Sequence, residues 1–190
     1  IVVIDNFLSD EALKDMQKYC RNANIFKYPY EFGYVGAFLT KGMSNKFFLK
    51  LSEDIRLTYK KIFKDYKLTQ AWIFKYDSKT TGTKVHSDQA SVNVNFWIAP
   101  DDSNLDTESG GLVIWNKLPP EEWKFTDYNS IGATKNINEF LESGDVEKIT
   151  IPHKENRCVI FNSKLFHKTD GFTFKDNYIN RRVNITMLFD

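Results

Sequence analysis

The sequence predicts a mainly β domain, an antiparallel sandwich or barrel backed by N-terminal helices. Three observations point there. Helical spacing of apolar residues is concentrated before Leu68. From Leu68 onward, about eight short apolar runs are separated by turn chemistry. Within them, Val92, Val94, Phe96 and Ile98 alternate with Asn93, Asn95 and Trp97, the period of a strand with two different faces.

At 190 residues the chain fits one domain, 1–190, in which 1–67 supplies a strand and supporting helices and 68–190 the β core. A formal net charge of +1, spread without long runs, gives no electrostatic case for nucleic acid or a membrane surface. No run of about 18 apolar residues occurs, so no segment is expected to span a bilayer. Sixteen Phe, nine Tyr and four Trp, with sparse glycine and proline, argue for a packed core over disorder. Cys20 and Cys158 lack ligand spacing and are expected as buried, reduced thiols in a cytoplasmic protein. The chain opens on Ile1 with no basic flank or signal-like apolar run, and the absence of Met leaves room for a preceding segment.

In order, Ile1–Ile4 reads as a strand. Ser9 is a helix N-cap, Asp10 and Glu11 suit the first turn, and Leu13, Met16 and Cys20 follow at helical spacing up to about Asn22. A short strand is expected around Tyr34–Leu39. A second helix is expected from about Asn45 to Asp65, with Phe48, Leu51, Ile55, Tyr59 and Ile62 facing the core. Strands then cover Ala71–Tyr76, Ser91–Ile98, Leu112–Trp115, Lys148–Ile151, Arg157–Phe161, Gly171–Phe174 and Arg182–Phe189. Residues from about 116 to 146 break this rhythm and read as an insertion with some helix around Ile137–Leu141, a candidate substrate-recognition loop.

The chemistry concentrates in few residues. His86 and Asp88 are two apart, so in an extended strand both point one way. With His167 they make two imidazoles and a carboxylate, the facial-triad donor set of non-haem iron(II) sites. His153, beside Pro152, reads as a surface residue in a turn. In the last strand Val183, Ile185 and Met187 can face the helices, which turns Arg182, Asn184 and Thr186 inward. An inward Arg is costly unless an anion meets it, and a guanidinium suits bidentate carboxylate recognition, to which Thr186 could add a hydroxyl. Asn is a poor strand former, so Asn93 and Asn95 on one face need water or a polar ligand.

His86-x-Asp88, Gly110-Gly111-Leu112, the strand Arg157–Phe161 leading to His167, and Arg182-Val183-Asn184-Ile185-Thr186 together resemble the prolyl 4-hydroxylase-like group of iron(II)/2-oxoglutarate-dependent oxygenases. The resemblance covers roughly Leu68–Asp190. It implies a double-stranded β-helix (jelly-roll, cupin-like) core, iron(II) on His86, Asp88 and His167, and the distal carboxylate of 2-oxoglutarate on Arg182 and Thr186. Dioxygen is then the oxidant, with ascorbate as an optional reductant, and a small-molecule or peptidyl substrate is hydroxylated as succinate and carbon dioxide form. Tyr76 stands where the group has a tyrosine. Trp97 falls where it often has a cosubstrate-contacting Tyr, so that contact passes to Asn93, Asn95 or Tyr76, with Asn184 beside them. Arg182 lies fifteen residues after His167, a longer interval than many hydroxylases use, which leaves Arg181 as the other candidate. Arg182 is preferred because it shares its face with Thr186. Two other classes use similar residues, a cupin-like small-molecule or sugar binder or isomerase, and a zinc hydrolase in which the triad activates water.

Overall fold

A computed structural model describes residues 1–190. The chain forms β1 (Val2–Ile4), α1 (Asp10–Asn22), β2 (Tyr28–Tyr30), β3 (Tyr34–Phe38), α2 (Lys46–Thr58), α3 (Lys60–Phe63), β4 (Leu68–Tyr76), β5 (Lys79–Thr80), β6 (Val92–Trp97) and β7 (Leu112–Trp115). It continues as α4 (Phe125–Tyr128), α5 (Thr134–Glu142), β8 (Lys148–Ile151), β9 (Cys158–Asn162), β10 (His167–Thr169), β11 (Phe172–Thr173) and β12 (Val183–Phe189). The Ser9 hydroxyl accepts from the Ala12 amide and starts α1, and Asn45 caps α2 through the Phe48 amide. The helix expected over 45–65 is two helices, because Tyr59 leaves helical geometry at φ −111°, ψ 43°.

A seven-stranded sheet runs in the order β1-β9-β6-β12-β4-β3-β2, and a three-stranded sheet in the order β10-β7-β8. All pairings are antiparallel. The alternation in the sequence sorts the large sheet into two faces. Ile73, Val94, Phe96, Ile185 and Met187 point to one side and bury Met16, Cys20, Phe48, Ile55 and Phe63 of the three N-terminal helices. Each such side chain contributes roughly 1.5–3 kcal/mol through its burial, so this face holds the helices to the sheet.

The opposite face meets the small sheet. There Trp97, Val159 and Phe161 pack on Leu112, Ile114 and Ile151. The register aligns Trp97 with Asn184 and Asn95 with Thr186, so the expected amides share this inner face. Among residues 116–146, Ala133, Ile137 and Leu141 pack with Val85 and Phe166 and fasten the inserted helices beside the His86 segment. No helix is long and apolar enough to cross a membrane.

Candidate active site

His86 and His167 are brought together by backbone. They form an antiparallel bridge, the His86 amide donating to the His167 carbonyl at 3.0 Å and the His167 amide to the His86 carbonyl at 2.8 Å. The ring centroids then lie 4.4 Å apart. The segment that carries His86 and Asp88 is not a strand, contrary to the sequence expectation; beyond this one bridge, the Asp88 amide is held by the Ser163 carbonyl at 3.1 Å. His86 and Asp88 still turn the same way. Asp88 Oδ1 lies 3.7 Å from His86 Nε2, and Asp88 Oδ2 lies 3.4 Å from His167 Nε2. All three donor atoms fall within 4.8 Å of one another.

This donor set fits a divalent transition metal. His86 Nδ1 donates to the Lys84 carbonyl at 2.6 Å and His167 Nδ1 to the Leu165 carbonyl at 2.9 Å. A carbonyl can only accept, so both protons sit on Nδ1 and both Nε2 lone pairs aim at the shared point. Burial, and then His167, hold the His86 imidazole below its ordinary pKa, in the neutral form a metal needs. Burial pushes the Asp88 carboxyl upward, but its neighbours His167, His86 and Asn129 outweigh that and hold it below its usual range. Asn93 Nδ2 donates to Asp88 Oδ2 and Asn129 Nδ2 to Asp88 Oδ1, each at 3.2 Å.

From this cluster opens a cavity of about 820 Å³. Asn95, Asn184 and Thr186 line it, as expected, with Tyr76. The Thr186 hydroxyl accepts from Asn95 and Asn184, each at 3.0 Å, which leaves its own proton free to donate. Arg182 is fully buried at the other end and continues the inner face of β12, its carbonyl accepting from the Tyr76 amide. Its Nε donates to the Gly110 carbonyl at 2.6 Å and its Nη2 to the Gly111 carbonyl at 3.1 Å, while Nη1 has no partner. Gly110-Gly111 presents both carbonyls because Gly110 has φ +84° and a Cβ on Gly111 would meet the Ile151 carbonyl oxygen at 1.9 Å. Arg181, by contrast, pairs with Asp77 and Asp176 toward solvent.

Two expectations change at this end. Thr186 and Arg182 are four strand positions apart, about 13 Å along the backbone, so they do not stand side by side. The groups beside the guanidinium are Tyr76, whose ring lies 4.8 Å from Arg182 Cζ, and Thr169, which neighbours the Tyr76 hydroxyl. Tyr76 and Thr169 line the cavity and Arg182 does not, so its charge lies one side chain behind the wall. Trp97 is also in the wall, without cavity exposure, and Asn93 serves Asp88 instead of the cavity.

His153 is a correction. It is only 5 % exposed, packs on Trp97 and Phe174 at centroid distances of 5.9 and 5.0 Å, and neither ring nitrogen has a partner. Its pKa is pushed down to about 3 by burial, then by the charges of Arg182 and Arg157.

Sequence reasoning missed Thr169 and Asn129. Thr169 carried a signal, since it lies two residues after His167 and pairs with Leu112 on the same core-facing side. Asn129 carried none. It arrives from the inserted stretch, donating also to the Ser87 carbonyl at 2.6 Å, while the Ser87 amide donates to the Tyr128 carbonyl at 3.0 Å.

No family model matches the chain, and no curated protein does. Solved structures do. The non-haem α-ketoglutarate-dependent epimerase SnoN of nogalamycin biosynthesis superposes with a TM-score of 0.67 at 11 % identity, over 99 % of this chain and 77 % of its own. A Pseudomonas putida prolyl-4-hydroxylase gives 0.61 at 13 % identity, over 99 % and 90 %. HygX from Streptomyces hygroscopicus, solved with nickel and 2-oxoglutarate, gives 0.62 at 8 % identity, over 99 % and 81 %. Likeness at this identity speaks to architecture. The chain therefore has the double-stranded β-helix fold of these structures.

Proposed function

We propose that the protein is a non-haem iron(II)/2-oxoglutarate-dependent dioxygenase that hydroxylates its substrate and releases succinate and carbon dioxide. The observation that carries this reading is one cavity with two unlike ends. At one end three metal-donor atoms converge, with the tautomer of both imidazoles fixed. Behind the wall at the other, one side chain from the cavity, a fully buried guanidinium has an unspent N–H and no carboxylate partner. A keto acid carrying a second carboxylate answers both ends at once.

His86 Nε2, an Asp88 oxygen and His167 Nε2 would hold the iron, leaving other coordination positions open. Bound iron supplies activation of dioxygen at the expense of the keto acid, which is where the hard chemistry lies. The remaining roles belong to the chain. Asn93 and Asn129 fix the Asp88 carboxylate between the two histidines. The Tyr76 hydroxyl donates to the distal carboxylate, Arg182 supplies the charge behind it, and Thr169 completes that end. The Thr186 hydroxyl, oriented by Asn95 and Asn184, donates toward the metal-proximal part of the cosubstrate. The aromatic lining keeps bulk water from the reaction. The nickel and 2-oxoglutarate in HygX support the same pairing here. Nothing in the charge of the cavity suits nucleic acid, and the two buried free thiols support a reducing, cytoplasmic setting. Ascorbate would serve only to keep the iron reduced.

Aerobic incubation with iron(II) and 2-oxoglutarate tests the reading through succinate formation. Wild type should form succinate in an iron-dependent way, and His167→Ala should form none. A folded wild type that binds both and yet forms no succinate would overturn it.

A further inference from the structure

We infer that the substrate is a neutral, non-peptidic small molecule that lays a flat, apolar ring system on an aromatic floor formed by β2, β3 and β4. This deepens the dioxygenase reading and rests on it for the position of the reacting carbon. The inner face of these strands lies beyond the reach of the three-stranded sheet and is paved by Tyr30, Tyr34, Phe38, Trp72 and Phe74, all of which line the cavity. Tyr30 and Tyr34 stack at 4.6 Å with their planes 14° apart, and Phe74 joins Tyr34 at 4.8 Å, Tyr30 at 5.7 Å and Phe38 at 6.1 Å.

Gly36 lets these rings close. A Cβ there would lie 3.0 Å from the Phe38 ring, 3.1 Å from Phe74 and 3.2 Å from Tyr30. The floor is thus built around a missing side chain. The inserted stretch adds Phe125 and Ile131 to the same lining, and they are 47 % and 69 % exposed although they are large and apolar. Exposed apolar side chains on both the floor and the insertion suit an apolar body.

Charge and backbone narrow its chemistry. Apart from the triad, the charged residues of the lining are Lys84 and Asp190. Both are engaged, Lys84 Nζ with the Thr81 hydroxyl at 3.2 Å and over the Phe32 ring, Asp190 with the Ser91 hydroxyl. An ionised substrate would shed its hydration over ring faces that offer no counter-charge, the one cation of the lining, Lys84, lying in an exposed contact with the Thr81 hydroxyl. An extended peptide brings a donor and an acceptor at nearly every residue. The backbone of β3 and of β4 is committed to the ladder and only the outer edge of β2 keeps free backbone groups, so over β3 and β4 the floor has ring faces alone to offer such a chain. A pyranose could rest a C–H face on the rings but would need a polar partner for each hydroxyl of its rim. A flat aromatic or polyene-like ring system makes the offset-stacked and edge contacts that this floor supplies, and Thr40, Thr69 and Gln70 of the lining can meet its substituents.

The test uses small probes on protein loaded with zinc(II) and 2-oxoglutarate, read by quenching of tryptophan fluorescence. The probes are 2-naphthol, its anionic counterpart naphthalene-2-sulfonate, methyl β-glucopyranoside and a short acetylated proline-containing peptide. Calorimetry on the same samples follows zinc and 2-oxoglutarate binding. We expect 2-naphthol to bind at least tenfold tighter than each of the others. Gly36→Val and, independently, Phe74→Leu should weaken it at least tenfold while zinc affinity stays within twofold. Equal or tighter binding of the sulfonate, glucoside or peptide would overturn the inference, as would 2-naphthol binding unchanged in both variants. If the metal and 2-oxoglutarate bind but 2-naphthol shows no preference, the ligand class alone falls. If 2-naphthol discriminates but 2-oxoglutarate does not bind, the ligand class stands and the dioxygenase reading falls.

Discussion

The two faces of the seven-stranded sheet are made by alternate residues of the same strands and are almost equally buried, yet they are built on opposite terms. Toward the helices, Val94, Phe96, Ile185 and Met187 have no exposed surface and no polar atom to satisfy. On the inner face, Asn93, Asn95, Asn184 and Thr186 are at most 5 % exposed, and the carbonyl oxygens of all three asparagine side chains lack partners. Burying an amide whose oxygen is unmet costs about 1–3 kcal/mol. The outer face earns the stability that the inner face gives up, and the inner deficit is what a polar cosubstrate can repay. Stability and function are therefore separable by residue parity, and that separation can be attacked directly.

The largest expected effects lie on opposite faces. Phe96→Ala should cost about 3–5 kcal/mol in denaturant unfolding, whereas His167→Ala or Asp88→Ala should leave the melting temperature within a few degrees but abolish metal binding in calorimetry. An inner-face loss of stability as large as the outer one would break the comparison. Next, Arg182→Leu should weaken 2-oxoglutarate binding by roughly 100-fold, in the range of about 2–5 kcal/mol for removing one member of a buried charged contact. The same change should leave unfolding stability equal or raised, since it removes a buried cation with no carboxylate partner. Tyr76→Phe should give a smaller loss of the same kind. Asn129→Ala removes one of two hydrogen bonds on Asp88 and should lower metal affinity by about tenfold, typical for a group that orients a ligand.

The last effect is a pH slope. His153 titrates at about 3 in the folded chain against 6.5 as its ordinary value. The unfolded chain thus binds the extra proton first, so stability should fall as pH drops from about 6.5 toward 3. His86 acts in the same direction. Asp5, held low by Arg157 and Lys154, adds its own loss once pH passes below its ordinary 3.8. In metal-free protein, the difference between wild type and His153→Phe isolates the His153 share; parallel curves would contradict its burial as a neutral group.

Much of the site was written in short-range pattern. The alternation from Val92 to Ile98 and the parity of Arg182, Asn184 and Thr186 read correctly because a strand's two-residue period is enforced along its length. The triad was legible for a related reason, since His86 and Asp88, two residues apart, turn one way even without a full strand. What was not legible depends on closure between distant segments. His153 follows a proline and resembles a turn residue, but the Trp97 and Phe174 rings and the Gly110 backbone cover it. Asn129 reaches Asp88 across 41 residues from an insertion whose packing is set by Ile137 and Leu141. Tyr59 breaks a helix whose apolar stripe runs on through it, because Ile62 and Phe63 continue the core from a second helix.

The most direct measurement is an anaerobic titration of metal-free protein with iron(II) and then 2-oxoglutarate, followed through the weak visible absorption that chelation of a keto acid produces. The account predicts the band in wild type, its loss in His167→Ala, and a requirement for roughly 100-fold more 2-oxoglutarate in Arg182→Leu. A folded, iron-loaded wild type that shows no band at saturating 2-oxoglutarate would contradict it.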